Sequence, residues 1–552
     1  MDDKLKELRA YHASLIETYD TWDEDYQSLA KHFLPRKYRA LHKSQSPKTN
    51  EGGLRFDALD EQPILSTKVA VAGLHGGMTS PARPWFRLTT EDLALASKNR
   101  VREWLDAVEK RMRSVLSRSN FYQAMNSVYG ELLVFGTEFM FEMPSRKRGI
   151  QFTPLTVGEY VLDTNGDGDV DTVFRIMDMT VKNIVATFGY DKCSSMIRNL
   201  YDKPQTRLLR RKVVHAIVPR AERNSRSLTK ENMPFASYHY EYDNMPGGQG
   251  FLRESGFRDM PGFGVRWDTT GHDVYGTSPA MDIMRAVKMS DSMWATYLKT
   301  EHKRVDPPMA APPGVDVIDQ LPGGVTPVSS AGGGQALYPL YQVSPDPTGT
   351  LSIIQDIRQR VREGLYNDLF KMLALSGGDR KTAREVAERH EEKLLQLGPV
   401  LERLHGELFS PLIDRTFTLM AASGELPEPP EELQGVDLKV DFISILAQAQ
   451  KMVATSTVDQ FTGFVLQAGA ILPDMMDAID PDETVDAYAD YLGVEAKLLR
   501  SRKERVELRR QRAEQMAAQQ AAEMAPMAAK AAKDASSADP QAIDELMRGV
   551  VS

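Results

Sequence analysis

One cysteine, Cys193, stands in 552 residues. It can neither close an internal disulfide nor build a cysteine zinc site, which fits a reducing compartment. No run approaches the roughly eighteen apolar residues that a membrane span needs. The opening MDDKLKEL is charged and has no apolar export core, so a cytoplasmic start is expected. A basic excess is also missing: 68 Lys and Arg against 77 Asp and Glu give a formal net charge of −9. Proteins that grip DNA usually neutralise phosphates with a basic face. Tight duplex binding is therefore not expected, although a conduit through which a duplex slides would suit this balance.

Catalytic signatures are equally scarce. No G-x-x-x-x-G-K-[ST] occurs. SGGDRKT at 376–382 has the right residue types, but Lys381 follows Arg380 rather than a glycine. An NTPase motor is not expected in this chain. The ten histidines form no H-E-x-x-H, and His390 and His405 fall on the polar side of a helix, where solvation is expected. GTSPA at 276–280 imitates a nucleophile elbow, yet Pro279 has no N–H for an oxyanion, so Ser278 reads as a helix N-cap. His75-Gly76-Gly77 has no serine elbow to serve.

Asp163, Asn165, Asp167, Gly168, Asp169 and Asp171 open like a calcium loop, but Phe174 holds the twelfth position, where a bidentate carboxylate belongs. A hairpin turn is the better account. The alternative is a metal-dependent DNA-processing enzyme using the 163–171 carboxylates. No catalytic residue, cofactor or metal site is assigned.

At 552 residues the chain exceeds a single-core domain, so about two to four substructures are expected, and what is present is helix periodicity. Leu5, Leu8, Leu15, Tyr19, Trp22, Tyr26 and Leu29 mark one face of a first helix stopped by Pro35. A polar loop follows at 36–56, including Lys43, Ser44, Gln45, Ser46 and Pro47. Helices are expected at 63–78, 97–118 and 121–137, interrupted by TSPARPWF, where Pro81 and Pro84 hold the backbone extended and Trp85 and Phe86 pack.

Short strands from Glu138 to Arg175 give way to helices near 180–201 and to strands at 212–219 and 235–243. Gly- and Pro-rich connections occupy 244–264. A long helix runs from Ser278 to about Lys303 and ends at DPP, 306–308. Residues 307–350 read as a small β-containing insertion. A helix at 351–372 has Ile353, Ile354, Ile357, Val361, Leu365 and Phe370 on its apolar side. Residues 442–472 read as mixed helix, 473–494 as a helix–turn–helix pair, and the rest as a projecting helix followed by disorder.

From Arg380 to Pro430, Leu394, Leu397, Leu401, Leu404 and Leu408 recur at three- and four-residue steps, and Leu412 continues them. Thr382 and Glu385 can form a capping box. Pro399 and Pro411 each remove a helical N–H, so one long bent helix is expected, ended by Gly424 and Pro427, Pro429 and Pro430. TAREV, then EK-x-x-x-LGP-x-L-x-R-L, EL-x-x-PLIDR and G-x-LP, resembles the head-to-tail connector, or portal protein, of podovirus-type short-tailed bacteriophages. GLHGGMTSPARPWFRL (73–88), FYQAMNSVYGELLVFGTEFMF (121–141), GEYVLDTNGDGDVDTVFRIMDMTVKNIVATFG (158–189) and YGTSPAMDIMRAVKMSDSM with DPP follow the same family in the same order. The likeness runs from about Leu5 to about Gly493 and thins at 309–350. Arg384 departs from the small polar residue usual in TA-x-EV.

The resemblance implies a mainly α fold with α+β portions, the phage portal fold. Residues 1–277 would be the wing, 278–306 a first stem helix, 307–350 the clip, and 351–372 a second stem helix. Residues 373–381 would be the tunnel loop, 382–472 the long bent helix and remaining wing, 473–500 the crown, and 501–552 a helical or disordered extension. Such proteins form homododecameric rings at one capsid vertex, a conduit for double-stranded DNA in packaging and ejection. Implied partners are the terminase large subunit, scaffolding protein, major capsid protein and tail adaptor proteins, in the host cytoplasm during assembly and then in the virion. Lys371, Asp379, Arg380 and Lys381 would lie where DNA passes. Another oligomeric virion adaptor is the remaining alternative.

Overall fold

The computed structural model describes residues 2–41, 58–92, 98–224, 229–243, 250–311, 347–375, 396–433, 438–448, 479–491 and 504–518, with runs of one to three positions between them. It divides into two compact units, Met1–Ala454 and Thr455–Ser552. No described helix is long and apolar enough to cross a membrane.

In the larger unit, the first helix is Asp2–Phe33. Leu5, Leu8, Leu15, Tyr19, Tyr26 and Leu29 are buried along it, on the face their spacing predicted. The chain after Pro35 makes one further helical turn, Tyr38–Leu41, before residues 42–57, which lie outside the described set together with the Lys43–Pro47 loop.

Three helices, Gln62–Met78, Asn99–Arg118 and Phe121–Phe135, build one apolar core with Leu397, Leu401, Leu404, Leu408 and Leu412. Phe121–Phe135 stops two residues before the expected 137, because Gly136 takes a left-handed φ of 74° and Thr137 starts a strand. Trp85 and Phe86 are buried in this core. Pro81 does not extend the chain as expected; it sits in a turn closed by the Arg83 N–H on the Ser80 carbonyl. Phe86 instead opens a strand, Phe86–Thr90, that pairs antiparallel with Leu438–Phe442.

A five-stranded antiparallel sheet runs in chain order through Tyr160–Thr164, Val170–Thr180, Arg210–Pro219, Phe235–Glu241 and Arg253–Phe257. It packs against the first helix and the paired helices below. The carboxylate-rich turn is a hairpin as expected. Asn165 Oδ1 accepts from the Asp167 and Asp169 amides at 2.9 Å, and Gly168 supplies a φ of 89°. Helices Val181–Phe188 and Ser195–Asp202, capped by Thr180 and Ser194, sit on a small core of their own. The 244–264 region is less irregular than its glycines suggest. It holds the fifth strand and Gly262–Arg266, which joins Thr137–Ser145 and Gly149–Pro154 in a three-stranded sheet.

Pro279–Val305 is the long helix. Ser278 caps it, accepting from the Met281 amide at 3.2 Å and donating to the Val134 carbonyl at 2.7 Å. Two short paired strands, Met309–Ala310 and Tyr338–Pro339, form the described sheet of the insertion. The next helix starts earlier than expected, at Pro347, and is not continuous to 372. It ends at Gly364; Tyr366 adopts a φ of 53°, and a separate helix, Asn367–Leu375, follows. Ile353, expected on the apolar side, is exposed, while Ile354, Ile357, Val361 and Leu365 are buried.

The bent helix is described from 396. Its interruption before Pro411 is a π-helical turn, His405–Phe409, leading into Ser410–Ala422. The wider turn is a known way to absorb a break in the hydrogen-bond ladder. The end is a Schellman motif: Glu425 N–H reaches the Met420 carbonyl and Gly424 N–H the Ala421 carbonyl, with Gly424 at φ 72°. Thr382, Arg384, Glu385, His390 and Leu394 lie outside the described residues, as do most of 449–478 and everything beyond 518. In the smaller unit, Pro481–Tyr491 and a helical stretch at 504–518 are tied by Arg505 and Arg509 to Asp482.

Candidate functional site: the paired helices and their two anchorages

Pro279–Val305 and Pro347–Gly364 lie side by side. Gly364 lets them close: a Cβ there would come within 2.3 Å of Ile283 Cγ2. Their root is ionic. Asp60, just before helix Gln62–Met78, is buried and accepts Arg358 Nη2 at 2.9 Å and Nε at 3.1 Å from the second helix. Ser290 of the first helix donates to its other oxygen. Burial by itself would raise this carboxyl; the bonds from Arg358, Ser290 and the Gln62 amide outweigh it and hold the group below its ordinary value. The Arg358 guanidinium also lies over the Trp294 ring, 5.1 Å from its centroid. Asp291, next to Ser290, accepts from the Leu59 and Asp60 amides and comes within 4.0 Å of His32 on helix Asp2–Phe33.

A second anchorage lies one helix further on and is purely steric. Asn367–Leu375 crosses Gln62–Met78 where Gly73 meets Phe370. A Cβ on Gly73 would stand 2.3 Å from Phe370 Cβ and 2.6 Å from its backbone. Lys371 follows directly and is exposed. Asp379, Arg380 and Lys381 lie outside the described residues, so of the four expected DNA-side residues Lys371 is the one placed, on a helix seated against the core.

The π-helical turn is a second polar junction. Glu407 takes Arg266 Nη2 at 2.6 Å and the Arg266 amide at 2.8 Å, and the same Nη2 reaches the Gly168 carbonyl of the carboxylate hairpin at 2.7 Å. His405 is not solvated as its position on the polar side suggested: it is half-buried, its ring stacked on Phe442 at 4.2 Å. A solvent-open cleft of about 800 Å³ adjoins this turn, lined by Arg258, Asp259, Glu407, Asp414 and Arg415 among others. Arg415 is committed to the Glu142 and Asp259 carbonyls.

Three glutamates to which the sequence reading gave no role are completely buried: Glu131, Glu138 and Glu142. Lys37 pairs with Glu131. Thr416 donates to Glu142, and burial still pushes that carboxyl up to about 8. Glu138 has neither oxygen hydrogen-bonded, and burial beside Glu131 raises it well above the ordinary range. Burial thus raises all three carboxyls, Glu131 while it holds Lys37. Among the described residues, no three His, Cys, Asp or Glu side chains are placed to hold a metal ion. Asp163, in the hairpin, accepts from Tyr11, and Asn165 serves the backbone of its own turn.

Comparison with known proteins fits this architecture. The chain is 38% identical over 506 residues to a probable portal protein of Bordetella phage BPP-1, covering 91% of this chain and 90% of that one. It is 36% identical over 467 residues to the portal protein of Salmonella phage epsilon15, covering 84% and 83%. Among solved structures, a chain from the virion of a native gene transfer agent particle aligns at 11% identity and a TM-score of 0.32, over 79% of this chain and 90% of that chain, too distant to weigh here. The model of the family described as bacteriophage head to tail connecting protein matches residues 5–499, and the chain belongs to that family, the portal connectors of phage virions.

Proposed function

We propose that twelve copies close into a ring at one capsid vertex and that the paired helices Pro279–Val305 and Pro347–Gly364 form the stem around a central DNA channel. The supporting observation is that these helices are firmly rooted yet incompletely covered. Met289, Leu298, Val305 and Ile353 are exposed on a pair whose inner faces are already packed. Exposed apolar side chains on the paired helices suit the two unlike faces that a closed head-to-tail ring requires.

In this reading 307–350 is the clip that docks the terminase large subunit and later the tail adaptors, and 373–381 is the tunnel loop. Lys371, Arg380 and Lys381 would then touch phosphates briefly, with Asp379 among them, as DNA slides past. Scaffolding and major capsid proteins meet the wing, and 473–500 forms the crown. The ring works without catalysis; ATP is hydrolysed by another subunit.

The test is packaging in vitro, with shells assembled with and without this chain and supplied with terminase, ATP and genomic DNA. Nuclease-protected DNA should require the chain. Equal protection without it would overturn the conduit role.

A further inference from the structure

The chain is acidic, but one stretch inverts that charge. Residues 181–212 carry eight Lys or Arg against two Asp, although the whole chain stands at −9. The stretch folds on its own small core of Val181, Ile184, Val185, Cys193 and Ile197. At its end, Leu208 is 74% exposed and Leu209 44% exposed, the former among the most exposed large apolar side chains of the larger unit.

Their exposure does not come from a loose loop. The Leu209 N–H bonds the Thr206 carbonyl at 3.0 Å, while the Val181 and Lys182 amides bond the Leu209 and Arg207 carbonyls, each at 2.9 Å. The Arg207 guanidinium is fixed on the Tyr201 ring and on the Tyr201 carbonyl. Leu208 and Leu209 are thus presented on a pinned turn beside Lys182, Lys203, Arg207 and Arg210. Arg210 is held beside Asp178, donating to its carbonyl at 3.3 Å and lying 3.6 Å from its exposed carboxylate, a pair that solvent screens.

We infer that this turn docks an acidic protein segment with an apolar anchor, contributed by a chain other than this one. Charge complementarity selects the acidic partner, and the leucine pair selects protein over nucleic acid, because phosphates gain nothing from Leu208. The inference rests on the vertex reading above, in which the wing meets the proteins of the shell.

The test is co-expression of the full chain with the phage's major capsid and scaffolding proteins, measuring chain copies per purified shell. Two variants are compared with the natural chain: Leu208→Glu with Leu209→Glu, and Lys182→Glu with Lys203→Glu. All four side chains are exposed, so folding should survive, and ring formation by electron microscopy checks this. Intact rings with at least a tenfold fall in shell-associated copies for both variants support the inference. Unchanged incorporation overturns it. Loss of ring closure would assign the turn to a second copy of this chain and also overturn it. So would normal incorporation with lost retention of a 30-base-pair duplex, which would assign it to nucleic acid. If the natural chain itself stays out of shells, the vertex reading fails and this inference falls with it.

Discussion

The paired helices and the short helix that follows them, Asn367–Leu375, are joined to helix Gln62–Met78 and its approach at two places that work by opposite means. At Asp60 the joint is made of charge: one buried carboxylate gathers Arg358, Ser290 and the Gln62 amide. At Gly73 the joint is made of missing volume, with Phe370 occupying the space a side chain would fill. An ionic joint is specific in direction and sensitive to the loss of a partner, because the remaining charge stays buried. A steric joint is insensitive to pH and salt but tolerates no added atom. If these helices form the stem proposed above, keeping them oriented while DNA moves past would draw on both.

The largest effect is expected at the ionic joint. Asp60→Ala leaves Arg358 without its carboxylate and should cost roughly 3 kcal/mol, toward the low end of broken buried pairs because Arg358 is partly exposed. Thermal denaturation at neutral pH measures this. Its acid arm follows from the depressed Asp60 group. The stabilisation is complete above the ordinary carboxylate pKa and is lost as pH falls through the lower folded value, so the mutant and natural chains should converge in strong acid.

Next comes Gly73→Ala, where backbone and Cβ of Phe370 leave no flexible atom to give way; about 2 kcal/mol is expected, independent of pH and salt. If 0.5 M salt restored the alanine variant, the steric description of this joint would be wrong.

Between these stands Glu142, a contrast within one chain. Its folded pKa of about 8 lies above its unfolded value, so the folded state holds the extra proton and stability falls as pH rises between the two. The slope approaches about 1.4 kcal/mol per pH unit at most, and Glu142→Gln should flatten it while keeping the Thr416 contact. An unchanged denaturation profile between pH 5 and 8 would show that Glu142 is ionised in the fold. The smallest effect is expected for Arg358→Lys, about 1 kcal/mol, since one ammonium can replace a single arm of the fork and loses the contact with Trp294.

These joints were only half legible beforehand. Periodicity exposed the first helix, and Ser278-Pro279 exposed the start of the long one, because both signals lie within a few residues of each other. Asn165 and Gly168 likewise marked their hairpin locally. The pairing of Phe86–Thr90 with Leu438–Phe442 had no such mark; each strand is five residues long and its partner lies some 350 residues away. The break at Tyr366 was hidden for a related reason, since a tyrosine rarely takes a positive φ and no glycine or proline stands at that position to announce it.

Arg253–Phe257 and Gly262–Arg266 were masked by glycines that read as loop but in fact admit neighbours: Gly256 meets the Lys230 carbonyl and Gly262 the Phe139 ring. Glu131, Glu138 and Glu142 look like surface residues in composition, and only burial reveals their state. His405 erred in the same direction, because the polar side of its helix is covered by Phe442. Lys371 was found on a seated helix, but nothing in its local sequence encodes the Gly73 contact that seats it.

The most direct measurement is electron microscopy of the purified full-length chain, with end-on class averages. Twelve-fold rings around an open central hole are the expected result. Uniform monomers or dimers across a wide range of protein concentration, unchanged when scaffolding protein is added, would contradict the account.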